Sequence, residues 1–280
     1  MKIWAHTLVR NEERYLWFSV MSVIEHVDRI LLWDTASTDK TIEIIKLIKK
    51  KYPEKIDFRQ LGDVNPEKFT LFRQEMLNET KSDWFIIVDG DEVWWDEKIK
   101  ETVELIYKEG KNLDSVVTKY TNIIGDIYHY QEETAGKYKI DGVMGHLTIR
   151  AIRKTIPGIH FSRPHGIQAI LDENEVPVQE RTQDKRMVVE GRSYLHFTHM
   201  VRSSTQDENL KVMKRDLKVK HELGHRFPND YYYPEVFFKP TPEIIQSPWE
   251  RMNRRYFLRS VWETPLRKVK RRLIRGKSGY

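Results

Sequence analysis

Apolar residues in the first 125 positions follow two alternating patterns. Short apolar runs predict strands, and between them apolar residues recur every three or four positions, which predicts helices with one buried face. The predicted strands cover residues 3–9, 29–33, 56–61, 84–88 and 115–124. The apolar faces of the predicted helices lie within residues 16–27, 42–48, 69–77 and 99–106. Strands that alternate with helices favour right-handed crossovers and a mostly parallel sheet, so we expect an α/β fold.

The pattern changes after Gly125, where glycine, proline and histidine become frequent and the apolar runs shorten. We interpret the region that follows as an irregular α+β portion added to one edge of the sheet. Its predicted short strands cover residues 148–152, 167–171, 187–189 and 194–197. Leu210, Met213 and Leu217 predict one face of a helix that begins at residue 204. The aromatic and proline-rich residues 226–248 predict a loop wrapped on the body of the protein.

The C-terminal region differs in charge from the rest of the chain. Residues 249–280 contain 11 Lys and Arg against 2 Glu, a net charge of +9, whereas the remainder contains 37 basic against 40 acidic residues, a net charge of −3. Thr264-Pro265 has the N-cap and first-turn signature of a helix, with Leu266, Val269 and Leu273 on one face. A short basic amphipathic helix is typical of contact with an anionic membrane surface. A solvated helix packed on the body and nucleic-acid binding are the alternatives.

The overall composition narrows the class of protein. The chain has 280 residues, of which 39% are hydrophobic, so it suits one large domain with a real core. The absence of cysteine excludes disulfides and cysteine metal sites. No apolar run approaches the roughly 18 residues of a membrane span. The first residues, MKIWAHTLVRNEE, lack the signal-peptide pattern, and we therefore expect a cytoplasmic location.

Acidic residues follow a predicted buried strand in the stretch DWFIIVDGDEVWW, where Asp89, Asp91 and Glu92 come directly after the apolar run. Asp34 ends the second predicted strand. In an open α/β sheet, ligands bind outside the carboxyl ends of the strands, so these side chains should share one rim. Two carboxylates one residue apart suit Mg²⁺ or Mn²⁺, which can stabilise a departing diphosphate. The alternative is an ordinary surface turn, since Asp-Gly-Asp-Glu is common turn composition.

A family resemblance supports the ligand-binding interpretation. The stretch TLVRNEERYLWFSVMSVIEHVDRILLWDTASTDKTIEII, followed by DWFIIVDGDEVW, resembles family 2 glycosyltransferases over about residues 1–125. It resembles the subset in which Asn-Glu-Glu follows the first strand. The resemblance implies a GT-A-like, mostly parallel sheet flanked by helices. It also implies a nucleotide-diphosphate sugar donor, Mn²⁺ or Mg²⁺ as cofactor, and inversion at the anomeric carbon.

The resemblance also implies roles for residues near the first two strands. Leu8 and Arg10 fall where the family lines the base pocket. Asn11 is first a predicted helix N-cap and second a sugar-nucleotide contact. Asp34 opens DTASTD, which resembles the family's Asp-x-Gly-Ser-Thr-Asp turn, and it is the candidate partner of the uracil or guanine ring. Ala36 stands where the family usually has glycine.

Further positions match around the acidic motif. Arg73 resembles the arginine of the family's Arg-Asn pair, although Gln74 stands in for the asparagine. Asp91 is the candidate for direct metal contact, and Asp89 for the ribose or the metal. His199 resembles a downstream histidine that completes the metal or diphosphate site in some relatives. Because His196 lies three residues earlier in a predicted strand, we expect only one of the two histidines to face the site.

The catalytic base is left open by the sequence, although an inverting transfer needs one near the acceptor hydroxyl. His165 resembles the first residue of the family's His-Glu pair, but Gly166 stands where the acid would be. His165 itself and Asp172 are the candidates, with Glu173 and Asp141 as further nearby acids. Arg202 is a candidate contact of the diphosphate.

The expected organisation has three parts within one chain. Residues 1–125 form the nucleotide-sugar-binding half, residues 126–225 the acceptor-side half, and residues 226–280 the wrap and the basic helical tail. The acceptor is a glycan, a lipid-linked molecule or a protein, and the tail would bring the enzyme to the inner face of the membrane. One alternative is a sugar-phosphate nucleotidyltransferase, but TLVRNEE lacks the glycine-rich loop of that class. The other, nucleic-acid binding through the tail, leaves the acidic motif without a purpose.

Overall fold

The computed structural model describes residues 1–203 and 218–273. The helix predicted from residue 204 therefore lies outside the described residues. The α-helices are α1 (Leu16–Val23), α2 (Thr41–Lys51), α3 (Pro66–Glu79), α4 (Asp96–Glu109) and α5 (Arg254–Leu273). The 3₁₀ helices cover Glu133–Ala135, Val178–Glu180, Gln183–Lys185 and Glu235–Phe238. The strands are β1 (Ile3–Val9), β2 (Arg29–Thr35), β3 (Ile56–Leu61), β4 (Trp84–Ile87), β5 (Glu92–Trp94), β6 (Ser115–Ile124), β7 (Asp126–Tyr130), β8 (Tyr138–Ile140), β9 (Val143–Gly145), β10 (Leu147–Arg153), β11 (His160–Ser162), β12 (Ala169–Leu171), β13 (Arg186–Val188), β14 (Tyr194–His196) and β15 (His225–Arg226).

The first four strands form the parallel part of the sheet in the order β3-β2-β1-β4. Side chains alternate between the two faces of β2, as the strand period requires. Leu32 belongs to the core cluster that also contains residues of α1 and α2, whereas Trp33 packs on the other face with Met76 of α3. Helices therefore cover both faces, and the predicted α/β fold with helices flanking the sheet is confirmed.

The second half of the chain continues the sheet from its β4 edge. β10 pairs antiparallel with both β4 and β6, so it lies between two strands that the chain forms earlier. β13 and β14 pair parallel with β6, and β14 also pairs antiparallel with β5. The late portion is thus partly inserted in the sheet and not simply added outside it. This insertion places residues of β10 and β14 beside the carboxyl end of β4.

Two helix starts differ from the sequence prediction. α1 begins at Leu16 after Tyr15, and Asn11 does not cap it, because Asn11 has a left-handed φ of 52° and its Oδ1 accepts a hydrogen bond from the Thr38 N–H at 2.8 Å. α5 begins ten residues before Thr264, so Pro265 lies inside the helix. The cap of α5 is Asn253, whose Oδ1 accepts from the Tyr256 N–H at 2.8 Å.

The aromatic segment before α5 lies against the body, as predicted. Phe237 is buried and its ring packs on Phe18 of α1 with centroids 5.0 Å apart. Tyr233 donates a hydrogen bond to the Ile127 carbonyl at 3.2 Å. Within residues 1–203 and 218–273, no helix has the length and apolar character needed to cross a membrane.

Candidate active site

A cavity of about 1130 Å³ opens at the carboxyl ends of β1, β2 and β4. The parallel strands contribute Leu8, Arg10 and Thr35 to its lining, and the turn after β4 contributes residues 89–91. Residues of β6 and of the segments after it close the opposite walls: Tyr120, Asn122, Tyr138, His146, Arg150, Arg163, His165, His196, His199, Lys218 and Lys220. The expected convergence of strand ends on one rim is present, and the far walls come from segments distant in sequence.

Four acids and three arginines meet at the end of β4, and we call this group the acid–arginine cluster. Its members are Glu12, Asp89, Asp91, Glu92, Arg73, Arg150 and Arg202. Asp89 lies between two guanidiniums, 2.6 Å from Arg73 and 3.2 Å from Arg150. Asp91 lies 2.9 Å from Arg202. Arg202 also pairs with Glu12, and Arg150 also pairs with Glu92.

The cluster has one more formal negative charge than positive charge, and its acids titrate differently. Partial burial opposes ionisation of Asp89, yet the Arg150 and Arg73 guanidiniums hold its pKa at about 2. Glu92 is fully buried, and burial raises its pKa well above the usual range despite the attraction of Arg150. Asp89 keeps 32% of its side chain exposed towards solvent, so it is the carboxylate that remains charged and accessible.

The turn after β4 is held from two sides. The Ser19 hydroxyl of α1 donates to the Asp89 carbonyl at 2.8 Å, and the Phe197 N–H donates to the Asp91 carbonyl at 2.8 Å. Gly90 sits where a Cβ would lie 3.0 Å from both Glu12 Cγ and Val9 Cγ1. Glycine thus permits the close approach that brings Asp89 and Asp91 to Glu12 and its arginine.

Asp34 and Asn11 bind the backbone of the turn that follows β2. Asp34 Oδ2 accepts from the Ser37 N–H at 3.0 Å, and burial raises the pKa of its carboxyl. The Asn11 N–H donates to the Ser37 hydroxyl at 2.8 Å. Leu8, Arg10 and Thr35 are the residues of this corner that line the cavity. Arg10 also pairs with the exposed carboxylate of Asp63.

The two candidate bases lie in different settings. His165 lines the cavity, where its ring packs on Phe69 with centroids 4.4 Å apart. The backbone N–H of His165 donates to the Pro66 carbonyl at 2.9 Å. Asp172 is 2% exposed and is not among the lining residues. Its carboxylate accepts from the backbone N–H groups of Asn174 at 2.9 Å and Val176 at 3.0 Å.

Asp172 also pairs with Arg181, which completes its hydrogen bonding within the turn after β12. Asp141, the further acid considered from sequence, pairs with Arg186. The Asp141 pair could not be predicted from the sequence, because Arg186 lies 45 residues from Asp141.

His196 and His199 both line the cavity, so the prediction that only one of them faces it is wrong. β14 ends at His196, and the chain turns before His199, so strand alternation does not extend to the second histidine. His196 Nε2 lies 3.7 Å from Asp91 Oδ1. His199 Nδ1 lies 2.8 Å from the Lys218 carbonyl, which fixes the proton on Nδ1 and leaves Nε2 as the acceptor nitrogen.

Several residues of the site have no role predicted from the sequence, among them Glu12 and Lys220. Glu12 follows the predicted N-cap Asn11, but it pairs with Arg202 at the rim. Lys220 was not singled out, yet it lines the cavity beside His199. The Asn-Glu-Glu stretch held a signal for Glu12, whereas nothing near Lys220 in sequence distinguishes it from its neighbouring lysines.

The donor chemistry of the site fits a hard divalent cation. Asp89 and Asp91 offer carboxylate oxygens, and the tautomer of His199 directs a nitrogen lone pair away from the Lys218 carbonyl. Among the residues that the structure describes, no group of three or more His, Asp or Glu side chains is arranged so that it could by itself hold a metal ion. Mg²⁺ typically uses one or two carboxylates and completes its coordination with water and substrate phosphates, so a closed cage is not required.

Comparison with known proteins defines the class. The family model for glycosyl transferase family 2 matches residues 6–169, more than half of the chain, and the chain therefore belongs to that family. The match includes the turn with Asp89 and Asp91, and it ends before His196 and His199. A search of curated proteins found no match.

Particular solved structures share part of the architecture. The crystal structure of S. aureus TarS 1–349 has a TM-score of 0.47 and 16% identity, covering 71% of this chain and 61% of that one. The same fragment in complex with UDP-GlcNAc has a TM-score of 0.48 and 14% identity, covering 70% and 58%. The mannosyltransferase PcManGT from Pyrobaculum calidifontis, in complex with GDP-Man and Mn²⁺, has a TM-score of 0.38 and 15% identity, covering 54% and 44%. The chain thus spans less than two thirds of each of these proteins.

Proposed function

We propose that this protein transfers a sugar from a nucleotide-diphosphate donor to a hydroxyl group of a glycan, lipid-linked or protein acceptor, with inversion. The observation that carries the proposal is the acid–arginine cluster at the carboxyl end of β4, on the rim of a cavity large enough for a sugar nucleotide. Family membership supports the same reaction class and disfavours a nucleotidyltransferase. The proposed reaction also gives the acidic motif a role, whereas nucleic-acid binding through the tail would leave that motif without one.

The cavity suggests how the donor lies. Leu8 and Arg10 line the β1 corner, which suits the base, while Asn11 and Asp34 support that corner through the turn after β2. Arg73 and Asp89 lie nearer the centre, where the ribose and diphosphate would follow. Arg202 approaches Asp91 from the opposite side and would share the diphosphate. We propose residues 1–125 as the donor half, residues 126–225 as the acceptor-side half, and residues 226–280 as wrap and tail.

A divalent cation fits this arrangement as cofactor. Asp89, Asp91 and His199 would hold Mn²⁺ or Mg²⁺, with Asp91 as the first contact, and His199 Nε2 would exchange its contact with Lys220 Nζ for the cation. A bound cation would neutralise charge on the diphosphate as it departs. The arginines of the cluster contribute in the same direction, because they bring positive charge to the same rim without needing a metal.

His165 is the better placed of the two proposed bases. It lines the cavity, whereas the Asp172 carboxylate is occupied by its own turn and by Arg181. In the proposed reaction the His165 imidazole accepts the proton of the acceptor hydroxyl. The hydroxyl oxygen forms a bond to the anomeric carbon from the face opposite the diphosphate. The bond between that carbon and the diphosphate oxygen breaks, and the nucleoside diphosphate leaves with the electron pair.

Calorimetry with UDP, GDP and dTDP, with and without Mn²⁺, tests the donor site. We expect one diphosphate to bind more tightly with Mn²⁺, and Asp91→Asn to weaken that binding by at least tenfold, since the variant loses a charged ligand. Asp114→Asn is the matched control, because Asp114 is a buried carboxylate between Arg153 and Arg181 that does not line the cavity. Equal affinity of wild type and Asp91→Asn for the nucleoside diphosphate in the presence of Mn²⁺ would overturn the proposed role of Asp91.

We also propose that α5 brings the protein to an anionic membrane surface. Leu258, Trp262 and Leu266 are 62%, 79% and 71% exposed on its outer side. Arg255 and Arg259 are exposed among them. Apolar side chains interleaved with basic ones suit lipid headgroups of opposite charge, whereas two copies of such a basic face would repel each other. Nucleic-acid binding through the basic residues of α5 is the alternative, and a steep salt dependence of DNA or RNA binding would support it.

Vesicle co-sedimentation tests the membrane proposal with substitutions on the exposed side of α5. Trp262→Ser with Leu266→Ser should reduce binding to vesicles that contain phosphatidylserine, while binding to neutral vesicles stays low in both proteins. The control is Tyr107→Ser, which removes an exposed aromatic residue of α4. Unchanged sedimentation of the α5 variant would contradict the proposal.

A further inference from the structure

Residues 218–224, which we call the inner segment, lie between the cavity and α5. On the inner side, Lys218 and Lys220 line the cavity. On the outer side, the Tyr256 hydroxyl donates to the Lys220 carbonyl at 2.7 Å, and the Leu223 N–H donates to the Thr264 hydroxyl at 3.0 Å. The helix therefore supports one wall of the cavity from behind.

Charged side chains fasten the same segment. Glu222 is 2% exposed and accepts from Arg271 Nη1 at 2.7 Å and from Gln131 Nε2 at 3.1 Å. Arg267 Nε donates to the His221 carbonyl at 3.2 Å. A buried carboxylate that loses its arginine is costly, so these contacts hold the inner segment in one place. The backbone of Lys220 is thus fixed by residues that do not touch the cavity.

The Lys220 ammonium faces into the cavity beside a histidine. Its Nζ lies 3.3 Å from His199 Nε2, which is the acceptor nitrogen because Nδ1 donates to the Lys218 carbonyl. The adjacent acid Glu222 is engaged by Arg271 and Gln131 on the other side of the segment. Lys220 therefore brings a positive charge to the wall without a matching carboxylate of its own segment. An anionic ligand group would complement that charge.

We infer that Lys220 binds a phosphate group of a substrate in the cavity, and that α5 positions it through the hydrogen bond from Tyr256 to the Lys220 carbonyl. This inference rests on the proposed function, since the same cavity takes the sugar nucleotide. A phosphate reaches such a cavity either in the donor diphosphate or as part of a phosphorylated acceptor. Lysine suits both as a flexible point charge with three donors.

Two titrations distinguish these sources. In the first, UDP and GDP are each titrated into the full chain, and the tighter nucleotide is used from then on. In the second, inorganic phosphate is titrated into protein already saturated with that nucleotide. The variants are Lys220→Met, Lys220→Arg and Tyr256→Phe, with Lys220→Gln as a second neutral variant if Lys220→Met does not fold. Lys46→Met, which removes an exposed lysine of α2, controls for the loss of one charge.

A contact to the donor predicts that Lys220→Met weakens nucleotide binding roughly tenfold or more, as expected for a lost charged hydrogen bond. Lys220→Arg should restore most of the affinity, which a merely structural role of the side chain would not predict. Tyr256→Phe should weaken binding by a smaller factor, because it keeps the ammonium but loosens its backbone. Lys46→Met should bind as the wild type does.

If Lys220 instead binds a phosphate of the acceptor, Lys220→Met should weaken binding only in the titration with inorganic phosphate. Equal affinities of wild type and Lys220→Met in both titrations would overturn the inference. If wild type binds none of UDP, GDP and dTDP, the proposed function fails, and titration of inorganic phosphate into the nucleotide-free protein then decides the role of Lys220.

Discussion

The turn after β4 and the turn after β12 each contain buried or half-buried carboxylates paired with arginine, yet Asp89 lines the cavity and Asp172 does not. Asp89 accepts from guanidiniums on both oxygens and keeps 32% of its side chain exposed. Asp172 is 2% exposed, and two backbone N–H groups of its own turn share its carboxylate with Arg181. An arginine partner is therefore common to both regions.

The difference between the two turns lies in where the hydrogen bonds of the carboxylate go. In the turn after β12 they close the local chain, which stabilises the turn and leaves nothing for a ligand. In the turn after β4 they reach Arg73 and Arg150, which come from α3 and β10, and the group faces the cavity. A carboxylate at a strand end is thus a stronger functional candidate when its partners come from distant elements and face a cavity.

The largest expected effect comes from removing the arginine that links β10 to the turn after β4. Arg150→Met leaves Glu92, which is fully buried, and Asp89 without their shared partner. We expect a loss of about 3–5 kcal/mol in the free energy of unfolding, because an uncompensated charge remains buried. Urea unfolding monitored by circular dichroism measures the change.

Two further variants sharpen that measurement. Arg150→Lys keeps the charge and should lose less stability than Arg150→Met. Adding Glu92→Gln to Arg150→Met removes the buried acid that has lost its arginine, whereas Asp89 still pairs with Arg73, and should recover part of the loss. A stability of Arg150→Met within about 1 kcal/mol of wild type would show that the cluster is not a structural link.

An intermediate effect is expected in the turn after β12. Asp172→Asn should lower the free energy of unfolding by about 1–3 kcal/mol, because the amide keeps an acceptor for the two N–H groups but loses the charge and the oxygen that accepts from Arg181. Nucleotide affinity, measured by calorimetry, should not change. A weakened nucleotide affinity with normal stability would instead assign Asp172 to the reaction and remove the contrast between the turns.

The loss of stability in Asp172→Asn should depend on pH. Burial opposes ionisation of Asp172, but the N–H groups of Val176 and Asn174 and the Arg181 guanidinium hold its pKa below the usual value. A lowered pKa in the folded state stabilises the protein at neutral pH, and this contribution is lost as the pH falls through that value. The stability gap between wild type and Asp172→Asn should therefore shrink in acid. A gap that widens in acid would contradict the assignment.

The smallest expected effect concerns the turn after β2, which borders the cavity. Ala36 has a left-handed φ of 60°. This conformation costs about 1–2 kcal/mol for a residue with a Cβ, and glycine avoids that cost. Glycine loses more conformational entropy than alanine on folding, which costs about 0.5–1 kcal/mol. Ala36→Gly should therefore raise the free energy of unfolding by about 0.5 kcal/mol in urea denaturation. Ala135→Gly, in a 3₁₀ helix, should lower it, and a loss of stability in both variants would contradict the strain argument.

Much of the parallel half could be predicted from the sequence, because its signals are local. The periods of apolar residues located β1, β3 and α2 close to their observed bounds. The strand-end argument also brought Leu8, Arg10 and Asp89 to one rim, since parallel strands place their carboxyl ends on the same edge. The roles of these residues remain predictions.

Errors occurred where a side chain had two uses or where a long-range partner decided the geometry. Asn11 has the composition of an N-cap, but it bonds to the turn after β2, 27 residues away. Thr264-Pro265 has the composition of a helix start, but Asn253 caps α5 earlier, and Pro265 lies within the helix. Local composition cannot choose between such uses, because the same side-chain oxygen can accept a hydrogen bond from a nearby or from a distant backbone N–H.

The sequence by itself determined the strand and helix alternation, the family and the acidic strand end, since each depends on short spacings along the chain. Tertiary structure alone decided which residues surround that acidic end. Arg150 and Arg202 reach it from β10 and from the segment after β14, and Lys220 lies on a wall supported by α5. These contacts span tens to more than one hundred residues, and no period or local propensity encodes a pairing at such a separation. The sheet makes them by inserting β10 between β4 and β6, which brings distant cations to the acids that the sequence had already marked.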